Sequence, residues 1–161
     1  RKQEGIQMLN NLVVEKILSS GEDSHNLVVK IKENSFVFQF LQPKTANNRI
    51  QILLKVIDVN NVIQIQHHQK IKKLVTHQLN FDKYNYLCIY NYITCPTLDV
   101  SYFKNRCQIL FFMHKLILTV QELHSLNVFH FDLKPENIHY KKGRFQIIDF
   151  GAAQHIPEKT E

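Results

Sequence analysis

The sequence has little cysteine, and the cysteines it has follow no bridge or ligand pattern. Only three occur in 161 residues, Cys88, Cys95 and Cys107, an odd number without a CxxC pair. This spacing argues against a disulfide framework and against a structural zinc site. Unpaired thiols suit a reducing compartment, so the sequence predicts a cytoplasmic protein, including one held in the cytoskeleton or in a large complex.

A hydrophobic run long enough to cross a membrane is also missing. The longest run, Ile109–Val120, is shorter than the ~20 residues that a spanning helix needs, and His114 and Lys115 interrupt it. The first residue is Arg1 rather than Met, and no signal-like region follows it. The sequence is therefore compatible with an excerpt of a longer chain, and no membrane association is expected.

The sequence also lacks any dense run of one charge. Lys and Arg number 20 against 14 Asp and Glu, but the basic residues are scattered and the longest cluster is Lys70–Lys73. This pattern indicates solvated surface and no nucleic-acid partner. The hydrophobic content of 44%, with 11% aromatic residues, is sufficient for a folded core.

The first half of the chain is typical of an antiparallel sheet with one inserted helix. Apolar residues at Ile50, Leu53, Leu54 and Ile57 have the spacing of one buried helix face. The strands are predicted at Leu12–Leu18, Leu27–Lys32, Phe36–Gln42, Asn61–Gln66 and Tyr84–Ile93.

The second half changes to a helical period. Apolar residues between Ile109 and Leu123 recur at helical spacing, which predicts one long, mostly buried helix over Asn105–Leu126. Short strands are predicted after it, and "KKG" at Lys141–Gly143 predicts a hairpin between two of them.

Two motifs near the end of the chain resemble those of the eukaryotic protein kinase domain, serine/threonine type. They are "HFDLKPEN" at His130–Asn137 and "DFG" at Asp149–Gly151; the catalytic-loop pattern H-R-D-L-x-x-x-N is matched except at Phe131, where the family has arginine. The resemblance implies an α+β, two-lobed fold. Residues 1–92 would form a five-stranded small lobe with one helix, and residues 93–161 the hinge and the first part of a mainly helical large lobe, truncated after DFG.

The resemblance also implies roles in phosphoryl transfer from ATP. Asp132 would orient the acceptor hydroxyl, Lys134 would steady the transferring phosphoryl group, and Asn137 and Asp149 would bind Mg²⁺. The residues alone allow a structural alternative. In that interpretation, Asp132 and Asn137 hydrogen-bond the loop and Asp149 caps a turn.

The glycine-rich turn of the family is degenerate in this sequence. Gly21 matches the middle glycine of the G-x-G-x-x-G pattern, but Ser19 and Ser24 replace the other two. Glu22 and Asp23 would place negative charge where the triphosphate should lie. Because Ser and Asp are common turn residues, a plain hairpin turn is the alternative.

The family's paired lysine and glutamate are both absent. Gln39 stands at the position of the third-strand lysine, and Arg49 at that of the helix glutamate. A neutral amide brings no charge to a phosphate. Lys30 and Lys32, in the preceding strand, are the alternative sources of a cation.

Three further residues match nucleotide-binding positions of the family. Ile89 would guard the back of the nucleotide pocket, and Tyr90 and Tyr92 would belong to the hinge that meets adenine. A strand end packed on the core accounts for the same residues equally well.

Taken together, these departures predict a pseudokinase that acts as a scaffold or structural subunit, with ATP and Mg²⁺ binding weak or absent. The alternative is a divergent but active serine/threonine kinase that transfers the ATP γ-phosphate to proteins. The long helix keeps an apolar face that the truncated large lobe leaves uncovered, which predicts a protein partner there.

Overall fold

The computed structural model describes residues 13–20, 24–71, 75–76, 79–80 and 83–157. The described residues of Arg1–Asn47 and Ile65–Tyr92 form one compact unit, and those of Asn48–Gln64 and Ile93–Glu161 form a second. The elements in chain order are β1 (Val13–Ser20), β2 (Ser24–Ile31), β3 (Asn34–Leu41), α1 (Pro43–Lys55), β4 (Ile65–Lys70), β5 (Val75–Thr76), β6 (Leu79–Asn80), β7 (Tyr86–Asn91), α2 (Arg106–Ser125), β8 (Val128–Phe129), β9 (Ile138–Lys141), β10 (Arg144–Ile147) and β11 (Gln154–His155), with 3₁₀ turns at Val100–Tyr102 and Pro135–Asn137.

The first unit contains a five-stranded antiparallel sheet in the order β1-β2-β3-β7-β4, which confirms the predicted sheet. Strands β2 and β3 are joined by a tight turn in which Lys32 has a positive φ of 57°. Side chains from this sheet and from its connections form one apolar cluster: Leu27, Val29, Phe38, Phe40, Ile71, Tyr84 and Leu87. The fourth strand begins at Ile65, later than the predicted Asn61.

Helix α1 has a different buried face from the predicted one. Pro43 occupies its first position, where a fixed φ and a missing N–H are tolerated. Ala46, Ile50 and Leu53 are buried, whereas Leu54 is 37% exposed and Ile57, beyond the helix end, is 43% exposed. The prediction that Leu54 and Ile57 share the buried face is therefore wrong, because the buried stripe runs back toward Ala46 instead.

The segment that follows α1 is fixed to the second unit by backbone hydrogen bonds. Val62 pairs in parallel with Ile147, and Ile63 N–H donates to the Ile147 carbonyl over 2.9 Å. Ile147 N–H in turn donates to the Asn61 carbonyl over 2.7 Å. The Asn61 side chain also donates to Thr119 Oγ1 of α2 over 3.2 Å. The second unit therefore includes the end of α1 together with the segment after it.

Helix α2 has well-defined ends. Asn105 Oδ1 accepts from Gln108 N–H over 3.0 Å, and Gln108 Oε1 accepts from Lys104 N–H over 2.8 Å, a reciprocal cap. After the helix, Asn127 adopts a positive φ of 56°, which is common where a helix stops. None of the helices in the described ranges is long and apolar enough to cross a lipid bilayer.

Most apolar side chains of α2 are not buried. Leu110 is 68% exposed and Phe111 56% exposed, and Ile117 and Leu118 are about as open. Phe112, Thr119 and Leu123 are the residues of the helix that are buried. The expectation of a mostly buried helix is therefore wrong for the part of the chain that the structure describes.

The predicted hairpin after the 3₁₀ turn is confirmed. Strands β9 and β10 pair with Lys141 opposite Arg144, which leaves Lys142 and Gly143 as the two turn residues. Both have positive φ, 51° and 79°, as a two-residue type I′ turn requires. The division of the chain into domains at residues 92 and 93 stays a prediction.

Neighbouring leucines on α1 provide a test of this packing. Leu53→Ala removes a side chain that is 2% exposed and should lower the free energy of unfolding by about 2 to 5 kcal/mol. Leu54→Ala, on the exposed side of the same helix, should cost less than about 1 kcal/mol. Urea denaturation followed by circular dichroism measures both. Equal losses would show that the buried face of α1 is assigned incorrectly.

Candidate active site

The buried ring of His130 joins the two segments that carry the sequence motifs. Its Nε2 lies 2.9 Å from the Ile148 carbonyl, and its Nδ1 accepts from Asp132 N–H over 3.3 Å. These partners require a neutral ring with the proton on Nε2. The same ring packs edge-on against Phe150, with 4.7 Å between centroids. His130 therefore positions Asp132 and the residue before Asp149.

Asn137 holds the catalytic-loop segment in its curved shape. Its buried side-chain amide donates from Nδ2 to both the backbone carbonyl and Oδ2 of Asp132, each over 2.9 Å. Its backbone N–H bonds the Lys134 carbonyl, and its own carbonyl accepts from Ile148 N–H, both over 2.9 Å. Asn137 therefore hydrogen-bonds the loop, as the structural alternative has it. None of the described residues donates a hydrogen bond to its side-chain oxygen.

Lys134 and Asp132 form an exposed ion pair. Lys134 Nζ lies 2.8 Å from Asp132 Oδ2, with the two side chains 48% and 38% exposed. Hydrogen bonding to Lys134 is the main cause that holds the pKa of Asp132 below its ordinary value of 3.8. The same bond raises the pKa of Lys134 above 10.5. The loop thus presents an ionised carboxylate and an ammonium group at one place, as phosphoryl transfer needs.

Asp149 and Gly151 form a tight local turn. Asp149 has a positive φ of 57°, and its Oδ1 accepts from Gly151 N–H over 3.2 Å. A side chain that bonds the backbone two residues on stabilises this unusual conformation. The structural alternative for Asp149, a turn cap, is therefore also realised.

Arg49 approaches this turn from helix α1. Its Nη2 lies in the space that a Cβ on residue 151 would fill, and Asp149 Oδ1 is 3.0 Å from that point. Asn48 Nδ2 donates to the Ala153 carbonyl over 3.4 Å, which ties this part of α1 to the residues after the DFG motif. A guanidinium group therefore stands beside the predicted metal ligand.

The residues of the predicted magnesium site have suitable donor atoms for the ion, but a positive charge lies beside them. The Asn137 amide oxygen and the Asp149 carboxylate are hard oxygen ligands of the kind magnesium prefers. The positive charge of Arg49 beside Asp149, however, opposes a second cation there. Within the described ranges, no group of three or more His, Cys, Asp and Glu residues could hold a metal ion.

The predicted nucleotide-binding residues of the first unit lie on β3, on β7 and just beyond it. The neutral Gln39 accepts at Oε1 from Tyr90 Oη over 3.0 Å, and the register places both side chains on one face of the sheet. Ile89 is partly buried and packs against the apolar cluster, as its structural alternative requires. Tyr92 N–H donates to the Ser35 carbonyl over 3.0 Å. Gly21 lies outside the described residues.

The sequence motifs identified the loop residues but missed the position of Arg49. Its place in the sequence indicated only that the family's glutamate is lost. Gly151 was the one sequence feature that could have indicated this position, because a residue without a side chain leaves room for a long side chain from another element.

Comparison with known proteins identifies the motifs as part of one domain type. The family model described as protein kinase domain matches residues 13–161. The chain is similar to "Serine/threonine-protein kinase MPS1" of Saccharomyces cerevisiae, 28% identical over 148 residues, covering 91% of this chain and 18% of that protein. It is 22% identical over 153 residues to "Serine/threonine-protein kinase MPS1" of Encephalitozoon cuniculi, covering 91% and 25%. The chain thus spans a quarter or less of the length of these relatives.

A solved structure has a similar fold. It is described as the Cydia pomonella granulovirus kinase, PK-1, and it matches with a TM-score of 0.68 at 20% identity. The alignment covers 96% of this chain and 56% of that one. The likeness confirms the predicted fold class.

The ion pair in the loop predicts a pH-dependent contribution to stability. Because the pKa of Asp132 is lowered on folding, its contribution is present above pH 3.8 and is lost as the pH falls through the lowered value. Because the pKa of Lys134 is raised, its contribution is present below pH 10.5 and is lost as the pH rises through the raised value. In Lys134→Gln, the Asp132 pKa should therefore rise toward 3.8, as measured by NMR titration of the carboxyl carbon.

Lys142→Gln provides the control, because Lys142 is an exposed lysine in the turn between β9 and β10. It should leave the Asp132 pKa unchanged. If Lys134→Gln also leaves it unchanged, the ion pair is not what lowers the pKa.

Proposed function

The chain belongs to the protein kinase domain family, and from that premise we propose that its phosphoryl transfer is impaired and that it serves as a scaffold or structural subunit of a larger assembly. The observation that carries the proposal is Gln39. A kinase places a lysine on this strand to hold the α- and β-phosphates of ATP. Here a neutral side chain takes that position and is bonded to Tyr90.

The two lysines that most closely precede β3 do not stand at that position of the strand. Lys30 and Lys32 are both exposed, and Lys32 lies in the turn between β2 and β3. The loss of one charge-assisted phosphate contact, together with repulsion from Glu22 and Asp23, should reduce the binding free energy of ATP by about 2 to 4 kcal/mol. ATP bound with magnesium should therefore be held roughly 30- to 1000-fold more weakly than by an intact site.

A protein partner is the second part of the proposal. Leu110, Phe111, Ile117 and Leu118 expose apolar surface on α2, and such a surface favours contact with other protein over contact with water. Cys88, Cys95 and Cys107, all among the described residues, form no disulfide bond, which supports a cytoplasmic location for the assembly.

A divergent active kinase is the second candidate, favoured by the loop geometry. Asp132, Lys134 and Asn137 form a connected network with an ionised carboxylate at its centre. These are the groups that would orient an acceptor hydroxyl and steady a phosphoryl group. A cation from another part of the natural protein would then replace the strand lysine.

A transfer assay separates these two candidates. The full natural chain is incubated with radiolabelled ATP and Mg²⁺ or Mn²⁺, and label is measured on the chain itself and on casein and histone. We expect the wild type to transfer no more than Asp149→Ala does, because the phosphates are poorly held. Metal-dependent transfer that disappears in Asp149→Ala would establish the active kinase instead.

Restoring the missing charge tests the role given to Gln39. Gln39→Lys should strengthen ATP binding in Mg²⁺ by roughly tenfold, since a charge-assisted contact is regained. Gln69→Lys, the same change at an exposed position on β4, controls for the added net charge. Isothermal titration calorimetry measures both affinities. An equal gain in the two variants would mean that the position of Gln39 has no special part in binding.

A further inference from the structure

We infer that Arg49 acts as a resident cation at Asp149, so that this site binds the phosphate groups of a nucleoside triphosphate without a divalent metal. The inference rests on the proposed impairment of transfer and names the ligand chemistry of the same site. Three features of the second unit support it.

The guanidinium is held at the turn by the fold around it. The part of α1 that carries Arg49 is bonded to the second unit through Asn48 and the Ala153 carbonyl, and the segment after α1 through Val62 and Ile147. Gly151 has no side chain, and the Arg49 Nη2 occupies the space that one would fill. The position of the charge is thus built into the structure before any ligand arrives.

Arg49 has hydrogen-bonding capacity that the described residues do not use. Its Nε is buried and has no acceptor among them. A buried donor without an acceptor is costly, and a phosphate oxygen is a strong acceptor for a guanidinium. Phosphate oxygens that reach the exposed part of this half-buried side chain would supply acceptors for the guanidinium.

The guanidinium beside Asp149 lowers the attraction of the turn for a divalent cation. Asp132 is neutralised by Lys134 at 2.8 Å, and Arg49 sets a permanent positive charge beside Asp149. A divalent ion at Asp149 would lie close to this guanidinium and would be repelled by it. Phosphate oxygens, in contrast, would meet the guanidinium and the half-exposed Lys134 ammonium.

Binding with and without metal tests the inference on the full natural chain. ATP affinity is measured by calorimetry in EDTA and again in excess Mg²⁺. We expect measurable binding in EDTA and no more than about a threefold gain with Mg²⁺, because the positive charge at Asp149 is already present. Arg49→Gln should weaken binding in EDTA by about 10- to 100-fold and make the remaining binding depend on Mg²⁺.

Two further variants test whether binding requires the Arg49 charge at its observed position or only a positive charge in this unit. Arg144→Gln removes an exposed arginine on β10 of the same unit and should leave the affinity in EDTA unchanged. Gly151→Ala keeps every charge but forces the flexible end of Arg49 to move, so it should weaken binding in EDTA as Arg49→Gln does. Thermal midpoints without ligand verify that each variant is folded, and Arg49→Met, which also removes the charge, replaces Arg49→Gln if the latter is not.

The ligand chemistry has its own controls. Inorganic tripolyphosphate should compete with ATP in EDTA, whereas adenosine should not, because the phosphates are the recognised groups. Absence of ATP binding in EDTA at millimolar concentration, a tenfold or larger gain with Mg²⁺ in the wild type, or an unchanged Arg49→Gln would overturn the inference. Transfer activity above that of Asp149→Ala would overturn the proposed impairment instead, so the two failures are distinguishable.

Discussion

The candidate site depends on one buried imidazole that is bonded at both ring nitrogens. His130 meets Asp132 through one nitrogen and the carbonyl of Ile148 through the other, and it packs on Phe150. Two chain segments that are separate in sequence are thereby fixed to each other. Because both bonds need the neutral ring with its proton on Nε2, His130 serves to position the site and is poorly suited to exchange protons with a substrate.

A second constraint explains how an arginine from α1 reaches the DFG turn. The segment after α1 pairs with β10 through Val62 and Ile147, and Gln64 Nε2 donates to three carbonyls, including that of Val59 over 3.1 Å. Several backbone polar groups of this segment are thus paired within the second unit. Arg49, at the position where the family resemblance predicts a glutamate, therefore brings a positive charge to the DFG turn.

The sequence predicted the fold and the loop because these depend on local patterns. Runs of β-branched and aromatic residues indicate β2 and β3, the "KKG" turn needs positive φ at Lys142 and Gly143, and "HFDLKPEN" has fixed spacing. The buried faces of α1 and α2 were less predictable. Leu54 and Leu110 belong to apolar stretches but lie exposed, since burial depends on what packs against a helix and periodicity cannot supply that. The sequence analysis missed the position of Arg49 for the same reason.

An intact catalytic loop is weak evidence for catalysis when its residues also shape the loop. Asn137 donates twice to Asp132, and Asp149 bonds the backbone of its own turn, so both have structural reasons to be present. Lys134 differs from them, because its side chain is half-exposed and forms a surface ion pair with Asp132. Such exposed pairs contribute little to stability. Lys134 is therefore the loop residue whose presence is hardest to explain by folding alone, and a negatively charged ligand is the simplest physical reason for a cation at that place.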